Sequence, residues 1–315
     1  MKEQALPLYS HLSLPAGFRP RDAAALHARD ARKLAEKVEE GSDGLTVAKG
    51  LCWQGRPALL QLRMQAGQAW ASLQVDAPWD LAVGKDAQQM AFDAMVRRLL
   101  GLSAGVGPFE RRHAGHPELG PLLRRQAGLR VPGSATPFEA LVWAITGQQI
   151  SVSAATALRR RLIEAIHVRH GSGMLCFPDA AALAALAPRQ LREAGFSLSK
   201  TEALGRVCAA VNEGSLPLDD WARQPLTQAQ AAQVEKALLA IKGIGPWTVN
   251  YVLLRGYGWL DGSLHGDVAV RNALARLLAR PGVSQAEAAQ WLAGFAPWRA
   301  LVAAHLWASL ADGAY

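Results

Sequence analysis

Residues 241–256, IKGIGPWTVNYVLLRG, constrain the fold of this 315-residue chain more than any other stretch. The VEKALLAI before the glycines and the PWTVNYVLLRG after them are apolar at helical spacing, with only KGIG between. Two helices joined so tightly must fold back as a hairpin. Gly243 and Gly245 give the bend access to φ > 0 and to close backbone approach. Pro246 suits the first helical position, where its missing N–H would be unpaired anyway. On these residues alone two readings stay open. One is a helix C-cap with an ordinary turn. The other is a set of free N–H groups around Gly243, Gly245 and Trp247 aimed at an anion from a helix N-terminus. Ile244, between the glycines, is expected to anchor the loop in the core.

The rest of the chain divides into two patterns. ALLQLRM from Ala58 and AWASLQV from Ala69 alternate apolar and polar residues, and the QAGQ between them predicts an antiparallel hairpin. LTVAKGLCW supplies a third strand; helices are expected over Arg21–Glu39 before it and from Ala87 to Leu100 after it. This is an α+β unit, an antiparallel sheet with helices, assigned to residues 1–113 with the junction within residues 101–120. From Pro117 the pattern is helical, which assigns residues 114–315 to a mainly α-helical domain. Thr136, Pro137 and Glu139 form a capping box for one helix, which Gly147 ends, and Ser151 or Ser153 caps the next. Ser199 with Glu202 reads as a further capping box. The run Arg159–Arg161 spreads around its helix and reads as a solvated face.

Composition excludes several classes. The apolar runs are broken well before the roughly 18 residues a membrane span needs, and the N-terminal stretch lacks the apolar core of a signal peptide. Cys52, Cys176 and Cys208 are scattered, so no disulfide, zinc or iron–sulfur framework is supported and a reducing cytoplasm is expected. The net charge of +8 is uneven: residues 1–110 carry 13 Lys/Arg and 12 Asp/Glu, whereas residues 111–315 carry 21 and 14. A basic helical part points to nucleic acid or another polyanion.

Asp267, in LHGDVAVRNAL, precedes an apolar-periodic run and is a good N-cap. A carboxylate in that position accepts backbone N–H groups, which favour its charged form. Capping and catalysis are compatible there.

Taken together, ATPFEALVWAITGQQIS, GFSLSKTEAL, IKGIGPWTVNYVLLRG with GDVAVR, and APWRALVAAHLWA resemble, in this order, the helix–hairpin–helix superfamily of DNA glycosylases. Within it they are most similar to the AlkA-type DNA-3-methyladenine glycosylase II enzymes. The resemblance covers about residues 128–308. It implies a helical domain in two lobes around a cleft, and base excision repair of alkylated purines, methylated at N3 or N7, in damaged double-stranded DNA. It implies Asp267 as the catalytic carboxylate. Trp247 stands where the related glycosylase/lyases carry a nucleophilic lysine, so a monofunctional enzyme is expected. Trp298, Trp247 and Tyr251 are expected to wall the base pocket.

Lys242, Gly243, Ile244 and Gly245 would meet the DNA backbone, and Gln148, Gln149 and Ile150 the gap left by the flipped base. Two departures stand out: Gln149 replaces the apolar tip of the AlkA prototype, and Lys242 stands where proline is common. The resemblance requires no cofactor beyond a monovalent cation bridging the hairpin to a phosphate, and it implies a monomer associated with a bacterial nucleoid. His265 reads as a loop histidine. The competing class is a non-catalytic helix–hairpin–helix DNA-binding protein, which needs the hairpin but neither Asp267 nor an aromatic pocket.

Overall fold

The alternating segments pair as expected. The computed structural model describes residues 7–42, 44–76, 84–102 and 105–310. In it β1 (Leu8–Ser13), β2 (Glu36–Gly41), β3 (Gly44–Trp53), β4 (Arg56–Gln65) and β5 (Gln68–Val75) form one antiparallel sheet in the order β1-β5-β4-β3-β2. Ala66 and Gly67 both take positive φ at the β4–β5 turn, the twist that a two-residue hairpin requires. The register sets Leu60 against Leu73 and Leu62 against Ala71. Their buried face packs on Phe92, Met95 and Leu99 of α2 (Lys85–Leu99).

The helix expected over Arg21–Glu39 is not formed. α1 (Pro20–Ala25) is a short helix, and β2 takes the end of the segment. Asp30 stops helical continuation: its carboxylate accepts the N–H groups of Arg32 (3.2 Å) and Leu34 (3.5 Å), and Lys33 turns into the left-handed region at φ 52°.

The helical part comprises α3 (Val106–His113), α4 (Leu119–Arg125), α5 (Pro137–Gly147), α6 (Val152–Ile166), α7 (Ala180–Ala184), α8 (Pro188–Glu193) and α9 (Leu198–Asn212). It continues through α10 (Leu218–Trp221), α11 (Gln228–Leu239), α12 (Pro246–Tyr257), α13 (Val268–Leu277), α14 (Gln285–Ala293) and α15 (Arg299–Leu310). Val106 and Phe109 of α3 join the helical core, not that of the sheet. α3, within the residues assigned to the sheet unit, thus packs with the helices; Ser103 and Ala104 of this junction lie outside the described residues. Thr136 caps α5 as predicted. The cap of α9 is Ser197, whose hydroxyl accepts the Lys200 N–H at 3.3 Å, and Ser199 lies inside the first turn. Among the described residues no helix is long and apolar enough to cross a membrane.

A buried ionic cluster fastens the sheet to the helices. Arg159 of α6 donates to Glu36 of β2 at 2.9 Å and to Glu139 of α5 at 2.8 Å. Lys49 of β3 donates to Glu139 at 2.7 Å and also to Glu36. Arg159 is thus 8% exposed and structural, not part of a solvated face. Burial disfavours both carboxylates, but the neighbouring cations prevail. Arg159 and Lys49 hold Glu36 well below its ordinary pKa, and Lys49 and Arg159 lower that of Glu139.

Candidate active site

The hairpin between α11 and α12 uses its two glycines differently. Gly243 has φ 100°, and a Cβ there would lie 3.0 Å from the Ala203 Cβ, so both conformation and space call for glycine. Gly245 has an ordinary φ of −105° and open space around it. The positive φ expected of it is not used; its missing side chain leaves room for whatever approaches from outside. As N-cap of α12 it has no side chain to satisfy the first-turn N–H groups, and Pro246 follows at the first helical position. Ile244 is buried, anchoring the loop, and Lys242 is exposed, with its carbonyl accepting from Arg206 at 3.3 Å.

Three elements converge on one carboxylate. Asp267 is the N-cap of α13, and its Oδ1 accepts the Val270 N–H at 3.0 Å. The same oxygen accepts the indole N–H of Trp307 on α15 at 3.2 Å, while Oδ2 accepts that of Trp247 on α12 at 2.7 Å. Three donors fix its orientation. Trp247 and Tyr251 lie one turn apart with ring centres 5.5 Å apart, and Tyr251 lies 6.3 Å from Trp307. These rings wall a cavity of about 1030 Å³ in which Asp267 is the one acid and Arg29 and Arg255 the cations among the described lining residues.

The turn between α5 and α6 forms the facing wall. Gln149 is exposed at its tip with φ 59°, and Ile150 beside it is 38% exposed. Gln148 is not a free tip residue: its amide donates to the Gly243 carbonyl at 3.1 Å and to the Thr248 hydroxyl at 3.0 Å. It fastens the turn to the hairpin, so the two act as one surface.

Most residues singled out from the sequence thus line one cavity: Asp267, Trp247, Tyr251, Gly243, Gly245, Gln148, Gln149 and Ile150. Trp298 does not. It precedes α15 and, half-buried, packs against Phe109 (6.0 Å between ring centres) and His113 (5.9 Å) at the edge of the helical core. Trp307 lines the cavity instead. The apolar LVAAHLW carries that tryptophan, but a sequence does not tell which of two indoles nine residues apart faces a cavity. Arg29 and Trp143, also on the wall, were not anticipated. His265 pairs with the Ser263 hydroxyl at 2.9 Å. The three cysteines are buried, and burial raises their thiols to about 12 (Cys52), 11 (Cys176) and 12 (Cys208), which makes them poor nucleophiles.

The profile of the HhH-GPD superfamily of base excision DNA repair proteins matches residues 142–293. DNA-3-methyladenine glycosylase 2 of Escherichia coli (strain K12) is 33% identical over 191 residues, which is 60% of this chain and 63% of that protein. The chain thus aligns with less than two thirds of that relative's length. Of solved structures, a 3-methyladenine DNA-glycosylase from Archaeoglobus fulgidus superposes with a TM-score of 0.71 at 19% identity, covering 95% of this chain and 97% of that one. The Schizosaccharomyces pombe 3-methyladenine DNA glycosylase in complex with abasic DNA gives 0.56 at 25% identity, covering 66% and 98%.

Proposed function

We propose, from the premise that residues 142–293 are an HhH-GPD base excision DNA repair domain, that this protein is a monofunctional DNA glycosylase for alkylated purines. The observation that carries the reading is the Asp267 carboxylate, held by two indole N–H groups and one backbone N–H in an aromatic cavity beside the hairpin. The names of its relatives support it.

The chemistry follows from those groups. The hairpin N–H groups and Lys242 bind a phosphate, and the Gln149–Ile150 tip fills the stack when a nucleotide is extruded. A purine methylated at N3 or N7 is a cation, and the faces of Trp247, Tyr251 and Trp307 attract it. The C1′–N9 bond breaks with its electron pair remaining on the base, which leaves neutral. Asp267 stabilises the developing sugar cation, orients the water whose oxygen bonds C1′, and accepts its proton. Among the described residues no lysine lines the cavity, so no amine is at hand for a Schiff base. A monovalent cation that would sit at the hairpin and link it to a DNA phosphate, a monomeric state and a cytoplasmic, nucleoid-bound location belong to the same proposal.

The test is chromatography of bases released from duplexes carrying single lesions. Asp267→Asn, folded by circular dichroism and still binding DNA, should lose at least ~10²-fold in single-turnover excision. An unchanged rate would remove Asp267 from the mechanism. The non-catalytic alternative predicts duplex binding with no base released.

A further inference from the structure

Arg29 has no place in the chemistry above, and it works against it. A guanidinium on the wall of a cavity meant for a cationic base repels that base. Among the described residues Arg29 makes no ion pair or hydrogen bond; its Cζ lies 5.3 Å from the centre of the Trp143 ring. It is half-buried and contributed by the segment after α1, so the sheet-bearing unit reaches into the cavity of the helical one.

A second cavity of about 190 Å³ adjoins the first, and Arg29, Arg255 and Trp307 border both. Its further walls include Arg19 and Arg130, with Asp22 the one acid among the described lining residues, and Asp22 is already paired with Arg19 at 2.7 Å. Arg255 is occupied by the Pro132 carbonyl at 2.6 Å, and Arg130 donates to the Gly101 carbonyl at 3.4 Å. These arginines keep their charge, but the guanidinium whose donors are unengaged among the described residues is that of Arg29, at the seam between the aromatic cage and a basic recess.

We infer that Arg29 and the recess behind it form a subsite for an acidic arm on the flipped base, so that purines N-alkylated by carboxyalkyl groups are substrates. The inference rests on the glycosylase reading of the same cavity. A 7-(carboxymethyl)guanine places its cationic ring between the indoles and its carboxylate on the planar fork of Arg29. Cleavage balances as for a methyl adduct: the C1′–N9 pair neutralises the ring, the base leaves with its carboxylate charged, and the water oxygen bonds C1′. A DNA phosphate is the other anion that Arg29 could meet. The seam beside Trp307, itself only 3% exposed, favours the arm, because phosphates track the outer rim where the hairpin lies.

The test compares single-turnover release of 7-methylguanine and 7-(carboxymethyl)guanine from otherwise identical duplexes by wild type, Arg29→Ala and Arg29→Lys. The carboxymethyl-to-methyl rate ratio should fall about tenfold or more in Arg29→Ala and less in Arg29→Lys, which keeps the charge but not the fork. The salt dependence of duplex binding should not change. An identical ratio in all three proteins overturns the inference. So does an unchanged ratio with a salt slope reduced by about one phosphate, which would make Arg29 a backbone contact. Release of neither base by wild type would instead sink the glycosylase reading, whereas normal release of 7-methylguanine with no effect at Arg29 leaves that reading intact.

Discussion

The indole N–H of Trp247 donates to Oδ2 of Asp267 at 2.7 Å, and the same tryptophan lines the cavity. One side chain thus orients the carboxylate and shapes the space before it. Trp247→Phe separates the roles, keeping an aromatic face while removing the donor. A hydrogen bond to a charged group contributes about 1.5–3 kcal/mol, so single-turnover excision should fall roughly 10- to 100-fold. Trp307→Phe should cost less, because Oδ1 keeps the Val270 N–H. Equal or reversed losses would mean that Oδ2 is not the oxygen that matters.

The two hairpin glycines should respond differently to alanine. Gly243→Ala forces a Cβ onto φ 100° and against Ala203, so its melting temperature should drop and duplex affinity with it. Gly245→Ala has an ordinary φ and open space, so its melting temperature should stay near wild type. Affinity for damaged and undamaged duplexes should still fall alike, since the Cβ occupies room that a phosphate needs. A Gly245→Ala protein that binds both duplexes normally would take the hairpin backbone out of the interface.

The ionic cluster makes stability depend on acid. The pKa values of Glu36 and Glu139 are lowered on folding, so their stabilisation is fully present above the unfolded value near 4.5 and is lost as pH falls through the folded values. Glu36→Gln leaves Arg159 and Lys49 undercompensated in a buried site and should cost about 3–5 kcal/mol at pH 7. It also takes up one proton fewer on acid unfolding. Urea denaturation at several pH values should therefore show the gap to wild type narrowing below pH 4.5. A gap constant with pH would remove charge from the explanation.

What was legible in the sequence was local. Strands β3 to β5 follow from period-2 alternation around one tight turn, the hairpin from two apolar helices and a four-residue link, and the capping role of Asp267 from its neighbours. What was not legible depends on distant partners. Arg159 reads as surface because its acidic partner Glu36 lies 123 residues away. Ala-rich residues 21–39 have helical propensity, yet Glu36 is needed on a strand where Lys49 and Arg159 meet it, and Asp30 supplies the turn. Trp298 and Trp307 are equally aromatic. Only the direction in which each leaves the start or the last turns of α15 separates a core residue from a cavity wall.

The cage itself is best tested at Tyr251, because Trp247 and Trp307 also hold Asp267 and their loss would mix two effects. No hydrogen bond from Tyr251 to Asp267 is present, and its ring neighbours both indoles. Tyr251→Leu keeps much of the apolar volume and removes the ring quadrupole. Cationic 3-methyladenine should then lose both the electrostatic attraction and stacking, whereas neutral hypoxanthine loses stacking alone. The differential should be about 0.5–2 kcal/mol, or a few-fold to roughly 30-fold in relative single-turnover rate. Faster intrinsic cleavage of the cationic nucleoside is divided out by the wild-type ratio. Trp298→Leu serves as the control: its ring packs on Phe109 and His113, so it should lower the melting temperature without moving the ratio. A ratio that shifts at Trp298 and not at Tyr251 would place the flipped base on the other side of α15 and overturn the cavity described here.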